Sequence, residues 1–101
     1  MERRWSRRKR VSQEVFLRYR GLGILRCKTL DISFEGACIE TGPVEVPPPE
    51  EIELIFFQRE DELARVVRIS ANVVRTFDTG IGVSFRDYHD GSHKFLLRLL
   101  G

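Results

Sequence analysis

Six basic side chains crowd the first ten positions: Arg3, Arg4, Arg7, Arg8, Lys9 and Arg10 stand against one acid, Glu2, a local charge of +5. The remaining residues hold eleven basic and fourteen acidic groups, a balance of −3, so the overall charge of +2 hides an asymmetry that invites an anion to one end of the molecule. Arginine can do three things there. Its guanidinium forks onto phosphate oxygens, forks onto O6 and N7 of guanine, and stacks its plane on a base; lysine cannot do all three. Arg4 and Arg8 are spaced as RxxxR, and Arg3 and Arg7 form an overlapping copy. Alone, the block supports three readings. It is a solvated basic tail, the ordinary fate of such a terminus, or a non-specific nucleic-acid contact that releases counterions, or a specific clamp on phosphate and guanine.

A second constellation separates these readings. Asp31-Ile32-Ser33-Phe34-Glu35-Gly36 has the pattern Asp-x-Ser-x-x-Gly, some two dozen residues after Arg8. By itself it is a common kind of turn between strands. The pair of motifs carries more than either part.

Catalytic signatures are missing: the chain has no GxSxG, no P-loop, no HExxH, and no nucleophile whose pairing with a histidine base the spacing suggests. An enzyme is not expected, nor any catalytic residue. Cys27 and Cys38 lie eleven apart without a CxxC, and His89 and His93 are the chain's two histidines, so neither a zinc set, another metal site nor a disulfide framework is expected. No stretch approaches the roughly 20 apolar residues that span a bilayer. Residues 1–5 carry charge with no apolar signal core after them, which leads to the expectation of a cytoplasmic protein without membrane insertion.

The elements that must position these residues follow from hydrophobic periodicity. Val15, Leu17 and Tyr19 alternate with Phe16, Arg18 and Arg20, and Gly21-Leu22-Gly23 turns the chain into a returning strand over 24–32. A short strand over 37–41 stops at Gly42-Pro43. Ile52, Leu54 and Phe56 mark a fourth strand, which the polar run 58–62 is expected to close. Residues 65–77, with Val67, Ile69, Ala71 and Val73 on one face, give the longest strand, and 81–85 the sixth. Val73 and Val74 both read as core. Phe95, Leu96, Leu99 and Leu100 follow a helical period after a cap at Asp90 or Ser92. With 101 residues, 42% of them hydrophobic, the chain suits one domain with a modest core and a surface site. The expected fold is mainly β, a six-stranded antiparallel β-barrel with a C-terminal α-helix packed on it or on a partner.

RxxxR at Arg4 and Arg8, DxSxxG from Asp31 to Gly36, and GxGVxF at Gly80-Ile81-Gly82-Val83-Ser84-Phe85, in that order within six strands, resemble the PilZ domain family of bacterial cyclic di-GMP receptors. The resemblance runs from Arg3 to Leu100. It implies a receptor without enzymatic activity or cofactor, with cyclic di-GMP held between an N-terminal loop, residues 1–13, and a barrel with C-terminal helix, residues 14–101. Ligand-binding residues implied are Arg3, Arg4, Arg7, Arg8, Asp31, Ser33 and Gly36. Arg4 and Arg8 would take phosphates and guanine edges, while Asp31 accepts from N1 and N2 of guanine. The Ser33 hydroxyl would serve a base or phosphate, and Gly36 would let the backbone turn sharply clear of the ligand. An extra arginine at position 3 is similar to a family feature that favours a stacked ligand pair over a single ligand. Trp5 is a packing anchor or a shield for a base. The arginine loop is expected to stay open until an anion neutralises it, and the signal to pass to a downstream protein, through the helix over 89–100, or by two copies joining as a homodimer. Two other classes compete. A small barrel binding single-stranded nucleic acid would interleave aromatic and basic residues along its strands, whereas here the basic charge precedes the first strand. A protein adaptor of the same architecture would have no chemical need for Arg4, Arg8, Asp31, Ser33 and Gly36 together.

Overall fold

The computed structural model describes residues 8–20, 23–48, 50–60, 62–86 and 90–101. Six strands precede one helix: β1 (Glu14–Tyr19), β2 (Gly23–Ile32), β3 (Gly36–Glu40), β4 (Glu51–Glu60), β5 (Leu63–Phe77), β6 (Gly80–Phe85) and α1 (Asp90–Leu100). The spatial order β1-β2-β3-β6-β5-β4 closes on itself, because β4 returns to pair with β1, Leu54 opposite Leu17 and Ile55 opposite Phe16. Every pairing is antiparallel. Closure pairs the central part of each strand on both sides among the described residues.

The two-residue period sends alternate side chains inward. Val15 and Leu17 of β1, Leu54 and Phe56 of β4, and Ile69, Ala71 and Val73 of β5 are fully buried. Helix α1 covers the barrel with Phe95 and Leu96, and the Phe95 ring lies 4.7 Å from that of Phe56. Ser92 sits within α1 rather than capping it. Its buried hydroxyl donates to the Arg68 carbonyl at 3.3 Å, tying the helix to β5.

Two boundaries differ from the periodic reading. The polar run does not end β4: Gln58, Arg59 and Glu60 stay in the strand, opposite Arg65, Ala64 and Leu63 of β5. All four residues 63–66 are exposed, so the hairpin projects past the core, and neither face needs the alternation that marks a half-buried strand. Val74 is not core either. It falls at a register break between Val73 and Arg75 and is 58% exposed, while Val73 is 0% exposed. Gly21 and Leu22 lie outside the described residues, and Gly23, with φ of 81°, takes up the left-handed turn that starts β2.

Candidate functional site

The segment before β1 is strapped along β2. Lys9 N–H donates to the Ile32 carbonyl at 2.8 Å and Ile32 N–H to the Lys9 carbonyl at 2.9 Å, an isolated antiparallel bridge. Four residues on, the buried Thr29 hydroxyl donates to the Val11 carbonyl and accepts from Gln13 N–H, while Thr29 N–H donates to the Gln13 carbonyl. A threonine inside a barrel needs partners for its hydroxyl, and this strap supplies both. Residues 8–13 are therefore docked rather than open, contrary to the expectation of a loop free as far as residue 10. The docking delivers Arg8 to Asp31, with Nη1 2.5 Å from Oδ1.

The turn that follows Asp31 is braced by Ser33. Its N–H donates to the Gly36 carbonyl at 2.8 Å, and its hydroxyl accepts from the N–H groups of Glu35 and Gly36, each at 3.3 Å. The same hydroxyl lies 3.3 Å from the Gly36 carbonyl, to which it donates, and Ser33 is only 1% exposed. Its hydroxyl is thus engaged in building the turn. Gly36 has a different reason from the one expected. Its φ is not in the left-handed region; instead, a Cβ there would stand 2.0 Å from the Val83 carbonyl oxygen, so β3 can approach β6 only with glycine at this position.

Cross-strand register extends this face beyond the motifs. Asp31 lies opposite Cys38, Cys38 opposite Gly82, and Gly82 opposite Arg75, forming one row across β2, β3, β6 and β5. Both ends of the row are bulged, between Thr29 and Asp31 on β2 and between Val73 and Arg75 on β5. Leu30 and Val74, inside the bulges, turn outward and are 40% and 58% exposed. Arg75 Nη2 reaches to 3.7 Å from Cys38 Sγ. None of this is carried by spacing along the chain; a barrel topology with its register would be needed to find it.

Of the residues expected to bind ligand, Arg8, Asp31, Ser33 and Gly36 come together. Arg3, Arg4 and Arg7, with Trp5 and His89, lie outside the described residues. His93 is exposed on α1, its ring 5.8 Å from that of Phe34 in the braced turn. Among the described residues no group of three or more His, Cys, Asp or Glu side chains is placed to hold a metal. Cys27 and Cys38 are both buried and unpaired as thiols, and burial pushes the Cys27 thiol up to about 11. A concavity of about 530 Å³ between the 42–48 loop and the β5–β6 turn includes none of Arg8, Asp31, Ser33 and Gly36. No helix among the described residues is long and apolar enough to cross a membrane.

No curated protein sequence matches the chain. Solved structures do. An inhibitor of motility from Bacillus subtilis, MotI/DgrA, superposes with a TM-score of 0.80 at 20% identity over 99% of this chain and 50% of that one. The chain thus spans half the length of that neighbour. The PilZ domain of CeSA from a cellulose-synthesizing bacterium superposes with a TM-score of 0.73 at 18% identity, covering 94% of this chain and 95% of that domain. At these identities the likeness shows the barrel with its helix. The sequence profile described as the PilZ domain matches residues 2–101, motifs and all six strands included, and the chain therefore belongs to the PilZ domain family.

Proposed function

We propose that the protein is a cyclic di-GMP receptor that binds its ligand on the face built by Arg8 and Asp31 and passes the signal to a partner protein. The observation that carries this reading is the contact between those two side chains. Guanine presents the acceptors O6 and N7 on one edge and N1–H and N2–H donors beside them. An arginine next to an aspartate answers both sets, with a donor fork for the acceptors and a carboxylate for the donors. In the free protein the two groups occupy each other through one contact. A guanine entering between them replaces that contact with several.

Ser33 then acts through the turn it braces, holding Asp31 in place, and Gly36 keeps that turn closed against β6. Arg3, Arg4 and Arg7 add cations for the two phosphates, and with Arg3 the site takes a stacked ligand pair. Family membership supports a receptor or adaptor over an enzyme; we propose that it acts in the cytoplasm and without a cofactor. For the relay, Phe34 joins the turn to His93, so a ligand that moves the turn reaches the surface of α1. The Bacillus subtilis neighbour is an inhibitor of motility, which is consistent with a domain of this fold working on another protein.

Calorimetric titration with cyclic di-GMP, with GTP and a short single-stranded oligonucleotide as controls, tests the reading. Saturable binding of the cyclic dinucleotide alone, micromolar or tighter, is expected. Binding of the oligonucleotide alone would replace it with a nucleic-acid module, and silence toward all three with a protein adaptor.

A further inference from the structure

Strand β4 outruns its neighbour. Its pairing with β1 ends at Ile55, opposite Phe16, whereas its pairing with β5 continues to Glu60, opposite Leu63. Upstream of Glu14 the chain stays with β2, through the bonds of Gln13 with Thr29 and of Lys9 with Ile32, and leaves β4 behind. Residues 56–60 therefore have a strand on one side only among the described residues, and the backbone groups of alternate residues there point away from β5. On β5 the helix meets the corresponding stretch, with the Ser92 hydroxyl on the Arg68 carbonyl at 3.3 Å.

A groove of about 220 Å³ lies beside this edge, bounded by Phe57 and Arg59 of β4 and by Phe95, Arg98 and Leu99 of α1. Both arginines are exposed, and no carboxylate lines the groove among the described residues. Glu14, the acid that begins β1, is already held by Arg26 at 2.5 Å. Phe57 is 47% exposed, lies opposite Val66, which is 51% exposed, and meets the Phe16 ring edge-on at 5.4 Å. An open strand edge, an apolar platform and two cations thus stand together.

We infer that residues 57–60 of β4 are the docking edge for a partner protein: an extended segment carrying acidic and apolar side chains adds to the barrel there as a strand. The inference rests on the partner protein proposed above, not on the identity of the ligand. Backbone bonds to the edge hold such a segment, its carboxylates meet Arg59 and Arg98, and its apolar side chains cover Phe57 and Leu99. A second copy of this chain fits less well, because two such edges side by side bring the arginines of both copies together. A single-stranded nucleic acid needs a track of open ring faces. Phe16 and Phe57 stand at 88° to each other, and Val66 and Leu99 offer no plane. Because α1 forms one wall of the groove, the relay from Phe34 through His93 ends where the partner sits.

The test selects binders to the full chain from a library of short random peptides, then titrates the most enriched peptide into isotope-labelled protein. Enrichment of Asp or Glu beside apolar residues is expected, with amide shifts at residues 56–60 and 95–99. An edge strand bonds through alternate residues, so N-methylating one alternate set of peptide amides should abolish binding and N-methylating the other should leave it. Arg59→Glu should bind the peptide at least about tenfold more weakly, with thermal melt and cyclic di-GMP affinity unchanged. Peptides that seat on another face, or equal tolerance of both N-methylations, would overturn the docking edge and leave a partner protein in place. The same amide shifts with a single-stranded oligonucleotide, and none with peptides, would give the face to nucleic acid instead. No enriched peptide, from a protein that binds cyclic di-GMP, would overturn the edge and leave the receptor standing. Failure to bind cyclic di-GMP would overturn the receptor reading without touching the edge.

Discussion

Arg8 and Asp31, twenty-three positions apart, meet at 2.5 Å because the buried hydroxyl of Thr29 straps the segment before β1 along β2. The ion pair is partly exposed, with side chains 32% and 26% accessible, and a pair of that kind contributes about 1 kcal/mol or less to folding. In the proposed receptor its significance lies in what it presents to a ligand.

Arg8→Ala should therefore separate binding from stability. Loss of a charged contact weakens cyclic di-GMP binding by on the order of 2 kcal/mol or more, while the denaturant midpoint moves little. Calorimetry and urea titration of the same preparation check both halves. Unchanged affinity would place the working arginine elsewhere in the N-terminal block.

Thr29→Val keeps the shape of the side chain and removes the hydroxyl bonds of the strap. Two hydroxyl bonds are lost and the Gln13 N–H and Val11 carbonyl lose a partner, at a cost of roughly 1–3 kcal/mol in stability. Ligand affinity should fall as well, although Thr29 is buried and touches no ligand, because the segment that carries Arg8 is then held only by the backbone bonds of Lys9, Gln13, Thr29 and Ile32. Protection of the Lys9 and Ile32 amides in hydrogen exchange would report the release directly.

Phe34→Ala tests the relay. In the wild type, ligand should alter hydrogen exchange in α1, since the Phe34 ring lies 5.8 Å from that of His93 and links the turn to the helix. In the variant, binding should persist while the response of α1 to ligand is lost. A helix that responds equally in both proteins would rule out this route.

Cys27 predicts an alkaline instability. Burial raises its thiol from 9.0 to about 11, so the folded state holds the proton that the unfolded chain releases first. The contribution is fully present below pH 9, declines as pH rises between 9 and 11, and is gone above the folded value. Cys27→Val should flatten the dependence over that window, seen as a smaller drop in melting temperature than the wild type shows.

Much of the barrel is legible along the chain, and the reason is physical. Strands such as β1 and the centre of β5 are buried on one face, so alternation at Val15 and Leu17, or at Val67, Ile69, Ala71 and Val73, reports which way each side chain points. The reading fails where burial stops imposing a period: in the projecting hairpin at Gln58, Arg59 and Glu60, and at Val74, where an extra residue shifts the phase. The site divides the same way. Asp31, Ser33 and Gly36 are close in sequence and form a turn that can be recognised locally. Thr29, Cys38, Gly82 and Arg75 belong to the face only because register sets them across from one another, and register is a property of four strands together. Gly36 carries a constraint that its neighbours in sequence do not reveal: the close passage of Val83 on β6 excludes a side chain there.

The most direct test of the central claim is a titration of isotope-labelled protein with cyclic di-GMP, followed through its backbone amide resonances. The account predicts saturable shifts concentrated at residues 8–10, along 31–36 and at Gly82, with weaker changes in α1. Saturable shifts centred on another face, such as the 42–48 loop, or no shifts at all, would contradict it.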